Sequence, residues 1–176
     1  MIYHPAEDSR LLARALVSYV EGKKVIDIGA GSGVLSEAAL HAGASSVCAV
    51  DIDSEVIDVL RLKRLTFIQS DLFENVSGSF DIIVSNPPYL PEDKREGVEG
   101  KTAIVGGKRG DELILRFLKQ APHHLSSDGV ILLLLSSLTP QKRILELLKK
   151  QKLTHKIIAE HKLFFERLEV WKIIRN

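Results

Sequence analysis

Apolar and polar positions along this chain switch between two periods, and the switches lay out a series of alternating elements. Leu11, Leu12, Ala15, Leu16, Tyr19 and Val20 recur at helical spacing, with Asp8 or Ser9 as the N-cap and Gly22 as the stop. A strand-like run over Lys24–Ile28 breaks into glycines at 29, 31 and 33, and a helix from Val34 to about Ala42 stops at Gly43. Ser46–Asp51 reads as a buried strand with an acidic end. Val56, Ile57 and Leu60 mark a short helix, and residues 65–69 a third strand. A fourth strand, Phe80–Ser85, runs directly into Asn86-Pro87-Pro88-Tyr89. Leu113, Ile114, Phe117, Leu118 and Ala121 restore helical spacing, and residues 130–135 form a central strand. Thr139-Pro140 opens another helix, with proline at its first position and Ile144, Leu147 and Leu148 as its apolar face. The tail adds two strands, 156–159 and 168–174.

Strands alternating with helices predict an α/β fold: a mainly parallel, seven-stranded sheet with right-handed crossovers and helices on both faces. The last two strands, joined by a short connection, form an antiparallel pair at one edge. In open sheets of this kind ligands lie outside the carboxyl ends of the strands. Asp27, Asp51, Asp71 and Asn86 all fall at or just past such ends, so four polar side chains are expected around one crevice.

Length and composition narrow the picture. At 176 residues, 45% hydrophobic and 27% charged, the chain is expected to form one domain over 1–176, without a separate substrate-recognition domain. The stretch 90–110 is rich in glycine, proline and charge and lacks periodicity, as functional and mobile loops both do. With 24 basic and 23 acidic residues the formal charge is +1, which disfavours a nucleic-acid partner and fits a protein substrate. A single cysteine, Cys48, excludes a disulfide framework, and the adjacent His123 and His124 lack metal-ligand spacing, so no metal is expected. The N-terminus has no signal-peptide pattern, and the apolar run 130–135 falls far short of the ~20 residues needed to span a bilayer. A cytoplasmic protein without a membrane partner is expected. The basic residues Lys142, Arg143, Lys149, Lys150 and Lys152 read as a solvated face of the late helix.

Three features carry chemistry. Gly29, Gly31 and Gly33 follow a strand and precede a helix, where glycine allows a tight turn and the helix start offers unpaired N–H groups to a ligand. A dinucleotide fingerprint would need glycine at 34, where the chain has Val34. Asp51 could accept from both hydroxyls of a ribose, and Asp71-Leu72 could hold an adenine edge through a carboxylate and a backbone N–H. Taken singly, each is equally well a tight turn or a surface cap. The sharpest feature is Asn86-Pro87-Pro88-Tyr89. The prolines fix φ and restrict Asn86, so its side-chain carbonyl and the Pro87 carbonyl can converge on one –NH2 group, with Tyr89 stacking on a planar target. Two acceptors holding both N–H bonds favour pyramidalisation and free a nitrogen lone pair that resonance otherwise ties up.

The spacing Asp27-Ile28-Gly29-Ala30-Gly31-Ser32-Gly33 resembles that of class I S-adenosylmethionine-dependent methyltransferases. Over nearly its whole length the chain resembles the HemK/PrmC-like methyltransferases. It looks most like the short archaeal and eukaryotic branch that methylates the glutamine of the Gly-Gly-Gln loop in class 1 peptide chain release factors. The resemblance rests on Tyr3-His4-Pro5-Ala6-Glu7-Asp8-Ser9, the glycine loop, Asp51, Asp71-Leu72, Asn86-Pro87-Pro88-Tyr89 and Gly106-Gly107-Lys108-Arg109-Gly110-Asp111-Glu112. It implies the Rossmann-like class I methyltransferase fold and S-adenosylmethionine as cofactor, contacted by Tyr3, Ser9, Asp27, Gly29, Gly31, Asp51, Asp71, Leu72 and Asn86. Residues 1–22 would then cover the cofactor, and Asn86, Pro87, Pro88 and Tyr89 would be catalytic, gripping the substrate amide. The resemblance also implies a small zinc-binding activator protein as partner, for which the third strand, at a sheet edge, is a natural docking line. By the same resemblance, the chain is expected to lack the N-terminal helical domain of the bacterial branch. An adenine-N6 methyltransferase on DNA or RNA is the alternative, since an exocyclic amine suits the same grip, and a non-catalytic cofactor-binding module is a third reading.

Overall fold

The computed structural model describes residues 7–63, 65–88 and 109–176. Among them lie five α-helices: α1 (Glu7–Leu16), α2 (Val34–His41), α3 (Ser54–Leu62), α4 (Glu112–Gln120) and α5 (Gln141–Lys150). Seven strands, β1 (Lys24–Ile28), β2 (Ser46–Asp51), β3 (Phe67–Gln69), β4 (Phe80–Ser85), β5 (Leu125–Ser136), β6 (Leu153–Lys162) and β7 (Arg167–Arg175), form one sheet in the order β3-β2-β1-β4-β5-β7-β6. The first five pair in parallel, and β7 runs antiparallel to both β5 and β6.

This order determines where the site must be. From β1 the chain steps outward through α2 and α3 to β2 and β3, then returns to β4 on the other side of β1 and continues through α4 to β5. Right-handed crossovers running in opposite directions put α2 and α3 on one face and α4 on the other. α1 packs with α2, and α5 with α4. The direction reverses between β1 and β4, so the crevice opens at their carboxyl ends.

The core explains why these runs became strands. Ile131 to Leu135 in β5 are wholly buried, as are Val25, Ile26 and Ile28 in β1 and Ile82, Ile83 and Val84 in β4. A strand covered on both faces needs unbroken apolar sequence, and each fully buried Leu or Ile contributes roughly 1.5–3 kcal/mol. A smaller cluster of Ala49, Val56, Ile57, Leu60 and Leu65 seats α3.

Several boundaries differ from the sequence pattern. α1 ends at Leu16 rather than near Val20, because the Tyr19 N–H bonds to the Leu16 carbonyl three residues back and tightens the last turn. Asp8 and Ser9 lie inside the first turn of α1 and are buried, not capping it from outside. Pro140 is the N-cap of α5, one position before the helix. β3 is three residues long, since Leu65 turns inward to the α3 cluster. β6 spans ten residues instead of four; as the outer strand it is largely exposed, and its polar positions mask its period. Tyr3, Tyr89 and all of the 90–110 loop except Arg109 and Gly110 lie outside the described residues.

Candidate active site

At the reversal point lies a cleft of about 380 Å³, within the ~300–1,000 Å³ typical of ligand pockets. One wall is the loop between β1 and α2. The N–H groups of Gly29 and Ala30 both donate to the Val50 carbonyl, at 2.8 and 2.9 Å, so the loop is tied to β2 from its first residues. The Gly31 N–H donates to Asp51 Oδ2 at 3.0 Å. Gly31, which lines the cleft, has φ +52° and open space where a Cβ would stand. Gly33 has φ +79°, and a Cβ there would come within 2.9 Å of the Leu60 and Leu65 side chains. The two glycines thus answer to different demands: Gly31 leaves room for a ligand, whereas Gly33 lets the loop pack on α3. Val34 and Leu35 also line the cleft, which brings the positive end of the α2 dipole to it.

Asp51 ends β2 beside this loop. Its Oδ2 takes the Gly31 N–H and its Oδ1 takes the Asp53 N–H at 3.0 Å, so the carboxylate is oriented before any ligand arrives. A carboxylate has about four lone-pair sites, and those that remain suit a pair of hydroxyls.

The opposite wall is built from distant parts of the chain. Ser85 Oγ donates to the Ile28 carbonyl at 2.8 Å and joins the carboxyl ends of β4 and β1 at the reversal point. The next residue, Asn86, has its Nδ2 donating to Asp8 Oδ2 and to Ser9 Oγ, each at 3.2 Å. A carboxylate accepts only, so Asp8 fixes which end of the Asn86 amide faces α1. The other end, Oδ1, is buried and has no hydrogen-bond partner. A buried acceptor left unpaired is costly, and here it points to a donor supplied from outside the chain.

Asp27, expected at the cofactor, is not among the residues lining the cleft. It is wholly buried beneath the glycine loop, where Ser36 Oγ donates to its Oδ2 at 2.7 Å and its Oδ1 has no partner. Burial pushes its pKa up from 3.8 to about 7; the Ser36 hydrogen bonds oppose this, and the Asp51 charge adds to it.

Asp71 and Leu72 line the cleft beyond β3. Leu72 has φ +52°, a left-handed conformation uncommon for a residue with a side chain. Asp71 Oδ2 accepts from Arg116 of α4 at 2.8 Å. Ser9, Asp51, Asp71, Leu72, Asn86, Pro87 and Pro88 are therefore brought to one cleft, along with Gly29 and Gly31. Sequence reasoning missed Ser85, Arg116 and the Asp8 contact. Asp8 carried a signal, an acid beside the first helical residues, but the capping role explained it away.

The sequence matches the family described as methyltransferase small domain over residues 6–165. A Methanocaldococcus jannaschii protein described as a protein N5-glutamine methyltransferase is 39% identical, covering 98% of this chain and 92% of that protein. A release factor glutamine methyltransferase of Lactococcus lactis is 30% identical over 81% of this chain, which spans just over half of it (57%). Among solved structures, the E. cuniculi Mtq2–Trm112 complex, responsible for methylation of the translation termination factor eRF1, includes a chain that superposes with a TM-score of 0.81. The identity is 26%, with 99% of each chain covered. The cleft suits S-adenosylmethionine: a carboxylate anchored to the glycine loop, open space at Gly31, and apolar walls from Val34, Leu35 and Val56. With fold, cleft and sequence in agreement, the chain belongs to the methyltransferase small domain family and is an S-adenosylmethionine-dependent methyltransferase of the class I fold.

Proposed function

We propose that this enzyme methylates the side-chain amide nitrogen of a protein glutamine, the one in the Gly-Gly-Gln loop of a class 1 peptide chain release factor. The observation that carries this reading is the unpartnered, buried Oδ1 of Asn86 at the cleft. Toward the cofactor, Asp51 takes the ribose hydroxyls, the loop from Gly29 to Gly33 lies along the methionine portion, and Asp71 and Leu72 hold the adenine. When bound, S-adenosylmethionine supplies a sulfonium methyl group that an in-line nitrogen lone pair can take.

An amide nitrogen is a poor nucleophile because its lone pair is delocalised into the carbonyl. Asn86 Oδ1 accepts one of its N–H bonds, and the Pro87 carbonyl, held by the rigid proline turn, accepts the other. As the nitrogen gains positive charge, both hydrogen bonds strengthen, and each stabilises the transition state more than the bound substrate. Asp8 adds to this from behind: its carboxylate pulls on Asn86 Nδ2 and raises the electron density on Oδ1.

The substrate assignment is supported by the relatives: the Methanocaldococcus jannaschii and Lactococcus lactis proteins are described as glutamine methyltransferases, and the E. cuniculi complex acts on a termination factor. Specificity comes from the first residues, the 90–110 loop and a partner chain, within a single catalytic domain acting in the cytoplasm. That partner is a small zinc-binding activator adding a strand to the open edge of β3, the outermost strand on that side of the sheet. The deciding measurement is transfer of labelled methyl to a release factor, to its Gln→Glu version in the Gly-Gly-Gln loop, and to oligonucleotides, with and without the activator. Label is expected on the native factor alone. Equal labelling of both factor versions overturns the glutamine assignment, and labelling of oligonucleotides alone replaces it with adenine.

A further inference from the structure

The segment after β3 and the helix α4 meet in a way that the reaction scheme above does not use. Arg116 Nη2 donates to Asp71 Oδ2 at 2.8 Å, and Gln120 Oε1 accepts the Phe73 N–H at 3.3 Å. Positions 116 and 120 are one turn apart on α4, so they share a face. The residues they hold, 71 and 73, flank Leu72 with its φ of +52°. The Phe73 ring, itself buried, packs on Phe117 of the same helix with centroids 5.9 Å apart, and Phe117 in turn lines the cleft. Within the segment, the Glu74 N–H bonds to the Asp71 carbonyl and the Asn75 N–H to Ser70 Oγ. A left-handed leucine persists only where its surroundings over-determine it. Here the constraint comes from α4 on both sides.

We infer that Arg116 and Gln120 are the positioning residues of the nucleobase subsite, and that Arg116 gives the enzyme its preference for adenine over hypoxanthine. This rests on the reading of Asp71 and Leu72 as the adenine contacts. The exocyclic amine of adenine is a donor, whereas hypoxanthine carries an acceptor at the same position. Arg116 holds the Asp71 carboxylate in one rotamer through Oδ2, which leaves Oδ1 as the acceptor offered to the base. An acceptor facing an acceptor is rejected, and sites with a dedicated polar partner discriminate far better than apolar ones. If Arg116 is removed, the carboxylate is free to rotate away from the base, and the distinction fades. Gln120 acts on the other contact by fixing the backbone at 73, next to the Leu72 N–H.

The test is calorimetric binding of S-adenosylhomocysteine and S-inosylhomocysteine to the purified enzyme and to its R116A, R116K, Q120A and D71N variants. The native enzyme is expected to prefer the adenosyl ligand by at least about tenfold. R116A should weaken the adenosyl ligand about tenfold and leave the inosyl ligand within about twofold. R116K should recover most of the preference, and Q120A should weaken the adenosyl ligand by several-fold. The Arg116–Asp71 pair is partly exposed, at 47% and 30%, so R116A should melt within about 2 °C of the native protein. A purely structural ion pair would leave the base preference of R116A unchanged. R116A binding both ligands as the native enzyme does, with D71N weakened, overturns the positioning role alone. D71N binding the adenosyl ligand normally overturns the adenine reading beneath it.

Discussion

The two walls of the cleft are held in opposite ways. The glycine-loop wall is knitted by short-range and neighbouring-strand contacts, with Gly29, Ala30 and Gly31 bonded to Val50 and Asp51 about twenty residues on. The Asn86 wall depends on side chains 77 and 78 residues earlier, Ser9 and Asp8, delivered by a helix that is not part of the central strand series. The first arrangement makes a cradle from backbone, which any sequence of the right conformation can supply. The second aims one functional group with others, so it needs specific side chains. The proposed reading then sets a cofactor cradle built largely on backbone, with Asp51 anchored to it, against a substrate grip that rests on side chains brought from far along the chain.

That division can be broken at four places. The largest effect is expected for Asn86→Ala, which removes a transition-state acceptor and should lower kcat by about 10²–10³-fold. Cofactor Kd should stay within a few fold, and a collapse of cofactor binding would merge the two walls into one. Next is Asp27, whose carboxyl titrates near 7 in the folded chain against 3.8 for an ordinary aspartate, because of burial. The folded state then holds an extra proton between these values, so unliganded stability must fall as pH rises from about 4 to about 7 and level off above. Asp27→Asn should remove a few kcal/mol of that fall, read by urea unfolding at pH 5 and pH 8. Equal slopes for both proteins would place the titration elsewhere. A matched pair of glycines follows. Gly33→Ala forces a Cβ into Leu60 and Leu65 at a left-handed φ and should reduce stability by roughly 1–3 kcal/mol. Gly31→Ala carries the strain of its own left-handed φ but meets open space, so it should cost less stability than Gly33→Ala while raising cofactor Kd about tenfold at the cleft it lines. If Gly33→Ala raised cofactor Kd as much as Gly31→Ala, or Gly31→Ala cost as much stability as Gly33→Ala, the separation of packing from cradle would fail. The smallest effect is expected for Asp8→Asn, which replaces the side-chain acceptor behind Asn86 and should lower kcat about three- to tenfold with little change in the cofactor KM. An unchanged kcat would mean that the amide is aimed without Asp8.

The same division explains what the sequence disclosed. The glycine loop, Asp51 and the Asn-Pro-Pro turn were readable because each rests on contacts local to a strand end, and strand ends are marked by runs such as residues 80–85. The strand order follows from the βα alternation and crossover handedness. The partners of those groups were not readable. Nothing in the chain links Asp8 to Asn86, since the contact appears only once α1 is laid over the sheet. Arg116 is one more charged position on an amphipathic helix, and its pairing with Asp71 depends on where α4 lands. Asp27 shows the converse: its strand-end position suggested a ligand contact, but whether a side chain faces the cleft or the layer below depends on which way the pleat turns at that residue, and Ser36 holds it inward.

Asp51 has a kinetic consequence. Both its oxygens are already engaged by the N–H groups of Gly31 and Asp53, so its rotamer freedom is lost during folding and not at ligand encounter. A ribose that meets a pre-set carboxylate has nothing on this wall to wait for. Association at this end of the cleft should then be a single fast phase with weak temperature dependence, and any slow phase seen on cofactor binding must arise elsewhere in the molecule.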